Sequence, residues 1–184
     1  VVERHHVRVA APAGITLAAA SDLELQRVPI VRAIFRAREV ILGSRPDARV
    51  LPTTLLAQMT ALGWGVLAEV PGREIVVGGA TQPWMADVVF RALPPDEFAA
   101  FSEPGYVKIV WTLRADPAGA SESVACHETR AAATDPVSRA RFRWYWSFLS
   151  PGIRLIRHAL LGYVKTNAER RARETPSEPG TAVL

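Results

Sequence analysis

One stretch constrains this chain more than any other. From Pro136 to about Arg170, apolar residues recur at helical spacing through Phe142, Tyr145, Trp146, Leu149, Ile153, Ile156, Leu160, Tyr163 and Val164. Such a stripe continues for about eight turns and belongs to one long amphipathic helix. A helix of that length must bury its apolar side against something large and concave. The preceding run, Ser121 to Ala132, reads as a strand that feeds directly into it. Ser150-Pro151-Gly152 interrupts the helix, and the missing donor of Pro151 predicts a kink near Leu149.

Upstream, the pattern alternates between short helices and strands. Arg4 to Ala11 alternates as a strand with Val7 and Val9 on one side, and Ala11-Pro12-Ala13-Gly14 turns it into a short helix, Ile15 to Ala20. A second helix is predicted over Ile30 to Leu42, and a third reaches Leu62 with Thr53 or Thr54 as its cap. Trp64 to Val70 and Glu74 to Gly79 form a hairpin around Pro71-Gly72-Arg73. A shorter strand near Asp87 to Ala92 and a brief helix, Glu97 to Phe101, follow. The two clearest strands are Tyr106 to Ala115 and Ser121 to Ala132. Residues 1–172 thus form one domain, and the polar tail 173–184 is expected to be disordered.

At 184 residues, 49% of them apolar, the chain is long enough to bury a core without disulfides or metals. Cys126 is the only cysteine, so no intrachain disulfide forms, and a cytoplasmic home is expected. No apolar run reaches the roughly 18 residues of a membrane span, which argues against stable insertion. The net charge of +4 rests on arginines spread along the whole chain. They read as a solvated basic face rather than as a nucleic-acid or anionic-membrane surface. Arg139, Arg141 and Arg143 open the long helix, and Arg170, Arg171 and Arg173 close it, where cations suit the helix dipole. CxxC pairs, HExxH, a Gly-x-Ser-x-Gly elbow and a phosphate loop are all missing from the sequence, so no metal and no cofactor is expected.

Several short texts together carry a family resemblance: the opening strand followed by Ala-Pro, Arg36-Ala37-Arg38, the strand ending in Glu128-Thr129-Arg130, Phe142-Arg143-Trp144-Tyr145-Trp146, and Ile153-Arg154-Leu155-Ile156-Arg157. Over residues 4 to 170 the chain resembles the START-like SRPBCC superfamily, which includes Bet v 1-like proteins and polyketide cyclases. The resemblance implies an α+β helix-grip fold: a curved antiparallel sheet wrapped around a long C-terminal helix, with short helices after the first strand. It also implies an internal apolar cavity, for which the general range is roughly 300 to 1,000 Å³. The superfamily contains carriers and enzymes, and fold alone does not choose between them.

Alternation suggests which residues line that cavity. Ile109, Trp111 and Leu113 share the apolar side of their strand with Val107. On the next strand Val124 and Cys126 share parity with Glu128 and Arg130, which are therefore expected to face the helix, with His127 on the outer side. Glu128 is then either an acid/base group of raised pKa or half of a structural pair with Arg130. Tyr145, Trp146, Leu149 and Ile153 on the helix, and Trp84 in an irregular segment, complete the predicted lining. Large aromatics are equally ordinary core filling. Two classes of function follow: a monomeric or homodimeric binder of a small hydrophobic, lipid-, polyketide- or aromatic-like molecule, or a cyclase or dehydratase-like enzyme using Glu128 with Tyr106 or His127.

Overall fold

The computed structural model describes residues 1–24, 29, 33, 36 and 52–174. Apart from residues 33 and 36, which are helical, the helix predicted over residues 30–42 lies outside the described residues, as does the tail 175–184. Strand β1 (Val2–Val9) leads into α1 (Ala13–Ser21), and α2 (Leu55–Ala61) precedes the hairpin β2 (Gly65–Val70) and β3 (Glu74–Thr81). A two-residue strand β4 (Phe90–Arg91), helix α3 (Pro95–Ala100), strands β5 (Val107–Pro117) and β6 (Ser123–Ala133), and helix α4 (Pro136–Glu174) complete the chain. The pairing is antiparallel throughout, in the order β1-β6-β5-β3-β2, with β4 extending the free side of β3.

The hairpin turn between β2 and β3 has Gly72 at φ 71°, a backbone conformation that side chains other than glycine rarely adopt. Gly78 matters for a different reason. A Cβ there would lie 2.4 Å from Leu67 and 3.2 Å from Phe98, so its absence lets α3 close over the outer side of the sheet. Lys108 then donates to the carbonyls of Phe98 and Ala99, at 3.3 and 3.0 Å, covering the C-terminal end of α3. Thr54 occupies the N-cap position of α2 as expected, but its side chain makes no capping bond.

Helix α4 packs against α1, β1 and β6. It runs unbroken through Pro151 and ends at Glu174, two residues into the segment expected to be a disordered tail. Its N-terminus is fixed by Asp135. This carboxylate accepts from the backbone N–H of Val137 (2.8 Å) and Ser138 (2.9 Å), the Ser138 hydroxyl (2.5 Å) and the Gly105 N–H (2.7 Å). One side chain thus caps the helix and holds the loop that opens β5. At the other end Lys165 donates to the Arg8 carbonyl (3.0 Å), and Glu169 accepts from the Ala10 N–H (3.0 Å).

The Ser138 hydroxyl, with the backbone N–H groups of Gly105 and Ser138 behind it, holds the Asp135 carboxyl well below its ordinary value of 3.8. A depressed carboxyl contributes stability that is complete above its unfolded value and fades as pH falls below it. Asp135→Ala is therefore expected to unfold at a lower temperature than the wild type at pH 7, with Asp135→Asn between them. The gap between Asp135→Ala and wild type should narrow as thermal melts followed by circular dichroism are taken below pH 3.8. Identical melting of all three proteins at pH 7 would contradict the role given to this side chain.

Candidate functional site

The register of β5 and β6 decides which side chains meet the helix. Trp111 lies opposite Thr129, Leu113 opposite His127, and Ala115 opposite Ala125. Directly opposed residues share a side of the sheet, so the odd positions of β6 face inward with Trp111 and Leu113. The pairing of β1 agrees: Glu3, His5 and Val7 lie opposite Thr129, His127 and Ala125.

This register corrects the sequence expectation. His127, expected outside, is buried at 6% exposure on the inner side. Glu128 and Arg130, expected inside, lie on the outer side, where Glu128 is held between Arg130 and Arg4, the latter at 2.5 Å. Hydrogen bonds from Arg130 and then Arg4 lower the pKa of Glu128, the reverse of a raised acid. Of its two readings, the structural pair describes the geometry. Tyr106 also lies away from the site, packed edge-on against Phe101 at 5.5 Å beside the outer cluster of Ala80, Leu93 and Phe98.

Between the inner side of the sheet and the helices is a narrow apolar cavity of about 30 Å³. The sheet contributes Trp111, Leu113, Ala125 and His127; α4 contributes Arg157, Leu160, Leu161 and Val164; and α1 contributes Thr16, Leu17 and Ala20. It is far smaller than the expected 300 to 1,000 Å³. Trp111 and Leu113 border it. Ile109, Trp84, Tyr145, Trp146, Leu149 and Ile153 are half-buried but do not border this space. Trp146 instead packs against Phe142, ring centres 5.6 Å apart, and under the Arg157 guanidinium at 5.8 Å.

The polar inventory of the interior is uneven. Thr16 and Ser123 share a hydrogen bond of 2.8 Å, and Ser123 donates to the Ala11 carbonyl. Gln58, Thr81 and Ser138 are likewise paired. Arg157, buried deeply enough to lower its pKa to about 10, forms an ion pair with Glu3. His127 is the exception: among the described residues neither ring nitrogen has a partner, and the sealed Trp111 Nε1 has none either. The two rings meet edge to face at 4.9 Å. Burial, and next to it the neighbouring His5, lowers the His127 pKa from 6.5 to about 3, so the ring is neutral at pH 7.

A second hollow, of about 360 Å³, opens to solvent along the β1 edge and is bordered by Arg4, His5, His6, Val7, His158, Leu161 and Gly162. Leu161 borders both spaces. Among the described residues, no cluster of His, Cys, Asp or Glu is arranged to hold a metal ion, and no helix is long and apolar enough to cross a membrane. Arg157, Leu161 and the α1 residues were not singled out for the site in the sequence. The α1 helix shows little segregation of apolar from polar positions, and a lone arginine within an apolar stripe resembles a surface cation.

No family model matches the sequence. No curated protein matches it either. Among solved structures the chain is similar to a protein of Rhizobium loti at 14% identity and TM-score 0.41, covering 89% of this chain and 96% of that one. It is similar to a point mutant of Thalictrum flavum norcoclaurine synthase at 11% identity and TM-score 0.42, over 93% and 95% of the two chains. It is also similar to the Zhui aromatase/cyclase of Streptomyces sp. R1128 at 16% identity and TM-score 0.36, over 93% and 94%. The strand order and the long C-terminal helix of this chain are those of the helix-grip fold implied by its START-like sequence resemblance.

Proposed function

We propose that the chain binds a small, largely apolar molecule carrying one hydroxyl group, seated between the sheet and α4 with that group against Trp111 and His127. The observation that carries this reading is that Trp111 and His127 border a largely apolar cavity while their three buried ring nitrogens have no partner among the described residues. Leaving such groups unsatisfied costs on the order of 1–3 kcal/mol each. A neutral imidazole offers one donor and one acceptor, and an indole offers one donor. A hydroxyl, which both donates and accepts, can pair with the Trp111 N–H and with one of the two His127 nitrogens.

Size is the second consideration. About 30 Å³ holds roughly a water molecule, so an organic ligand must widen the space. Leu161 borders both the cavity and the 360 Å³ hollow at the β1 edge, so a change of its rotamer would open one to the other. The joined space falls within the general range for small-molecule sites. The cyclase-like reading has less support. Glu128 and Tyr106 lie away from the cavity, and a His127 with a pKa near 3 is a weak base at neutral pH.

Titration of the full chain with 2-naphthol, an apolar ring system with one hydroxyl, followed by calorimetry, tests the reading. Binding is expected, weakened about tenfold or more in both Trp111→Phe and His127→Phe, abolished in Leu161→Trp and unchanged in Glu128→Gln. Failure of the wild type to bind, together with a clean unliganded mass in native mass spectrometry of the purified protein, would sink the proposal. Undiminished affinity in His127→Phe would do the same.

A second expectation concerns protons. His127 titrates near 6.5 when unfolded and near 3 when folded. Unfolding at pH 5 should therefore take up about one proton at this residue. That contribution makes stability rise with pH between those two values and level off above 6.5. His127→Phe should lose this segment of the stability–pH profile, measured by urea unfolding from pH 4 to 8. Parallel profiles for the two proteins would show that the ring is not held neutral by burial.

A further inference from the structure

The outward side of α4 breaks two local rules at once. Val137, Trp144, Phe148 and Leu155 follow one another at spacings of seven, four and seven residues, which puts them on one side of the helix. All four are exposed, at 62%, 70%, 68% and 53%. The rings of Trp144 and Phe148 lie against each other at 4.8 Å and form a single apolar ridge. Large apolar side chains aligned in this way, in place of single scattered ones, mark an interaction surface.

The second departure is electrostatic. Arg139, Arg141 and Arg143 are exposed in the first two turns of α4 and have no acidic partner among the described residues. Cations there oppose the positive end of the helix dipole, and Arg139 and Arg143 repel each other at a spacing of four residues. No Asp or Glu occurs between Pro136 and Ala168. A solvated basic face accounts for the arginines alone but leaves the aromatic ridge beside them unexplained.

We infer that this side of α4 docks, parallel to the surface, on a bilayer containing anionic lipid. Apolar side chains along one line, with arginines flanking them and no acid nearby, are what a helix lying in a membrane interface requires. The line from Val137 to Leu155 is about 27 Å long, suited to a flat partner. Charge argues against a second copy of the chain, since an isologous contact would bring two sets of unpaired arginines together. Single-stranded nucleic acid uses aromatic platforms, but it has no use for the aliphatic ends of the ridge.

Co-sedimentation of the full chain with vesicles tests the assignment. Binding is expected to phosphatidylcholine vesicles containing phosphatidylserine and to be weak on phosphatidylcholine alone, and it should fall as salt is raised. Two double variants at exposed positions, Trp144→Ser with Phe148→Ser and Arg141→Glu with Arg143→Glu, should each weaken binding about tenfold or more. Both should keep the wild-type far-ultraviolet circular dichroism spectrum. No binding to the anionic vesicles, or unchanged binding in either variant, overturns the inference. So does a single-stranded oligonucleotide that binds where vesicles do not. A concentration-dependent dimer abolished by the Trp144 and Phe148 substitutions, with no vesicle binding, also overturns it and assigns the face to a second copy.

Discussion

The seating of α4 at both ends is the constraint on which the rest of this structure depends. At its start one carboxylate, Asp135, accepts from the first turn of the helix and from the loop before β5. Toward its end Lys165 and Glu169 bond the backbone that leaves β1, and Arg157 pairs with Glu3 on β1 itself. A buried ion pair is weak evidence for net stability, because desolvation offsets much of the attraction. Its clearer effect here is positional. It fixes the rotation of α4 so that Leu160, Leu161 and Val164 face the sheet across from Trp111 and His127.

That placement explains why a gap exists at all. The inward positions of β6 include Ser123, Ala125, Ala131 and Ala133, small side chains that do not reach the helix. Trp111 and Leu113 from β5 fill part of the space, and α1 closes one side through Thr16, Leu17 and Ala20. What remains is apolar except at the rings of Trp111 and His127. The same interior pairs its other buried polar side chains, Thr16, Gln58, Thr81, Ser123, Ser138 and Arg157. A chain that satisfies those and leaves two neighbouring rings unpaired has concentrated its local inconsistency in one place, where function is expected to be found.

The sequence made the architecture legible because the strongest periodicities belong to the elements that define it. The stripe of α4, the Pro71-Gly72-Arg73 turn and the alternation of Val107 to Leu113 each depend on local chemistry that tertiary contacts did not override. The site was harder to read for one specific reason. Parity on β6 was inferred from Val124 and Cys126, the more apolar set, yet the inward side carries alanines and a histidine. Hydrophobicity chooses a side only when the buried side chains are large. The hairpin register, which pairs odd positions with odd ones, was the better signal, since β5 had already shown its odd side to be the apolar one. A one-residue change of parity moved Glu128 and Arg130 out and His127 in, and the acid/base hypothesis moved with them.

The two departures from local rules lie on opposite sides of α4: the unpaired rings of Trp111 and His127 are on the sheet that its inner side covers, and the exposed ridge is on its outer side. Continuing the ridge from Leu155 by another seven residues reaches Gly162, which has no side chain and borders the hollow at the β1 edge. His158, one turn beyond Leu155, borders the same hollow. Leu161, next to Gly162 in the chain, turns inward to the cavity as well. Gly162 ends the ridge in open space, since a Cβ added there would have no neighbour within 4 Å. The helix that closes the proposed pocket on its inner side thus carries the proposed surface on its outer side.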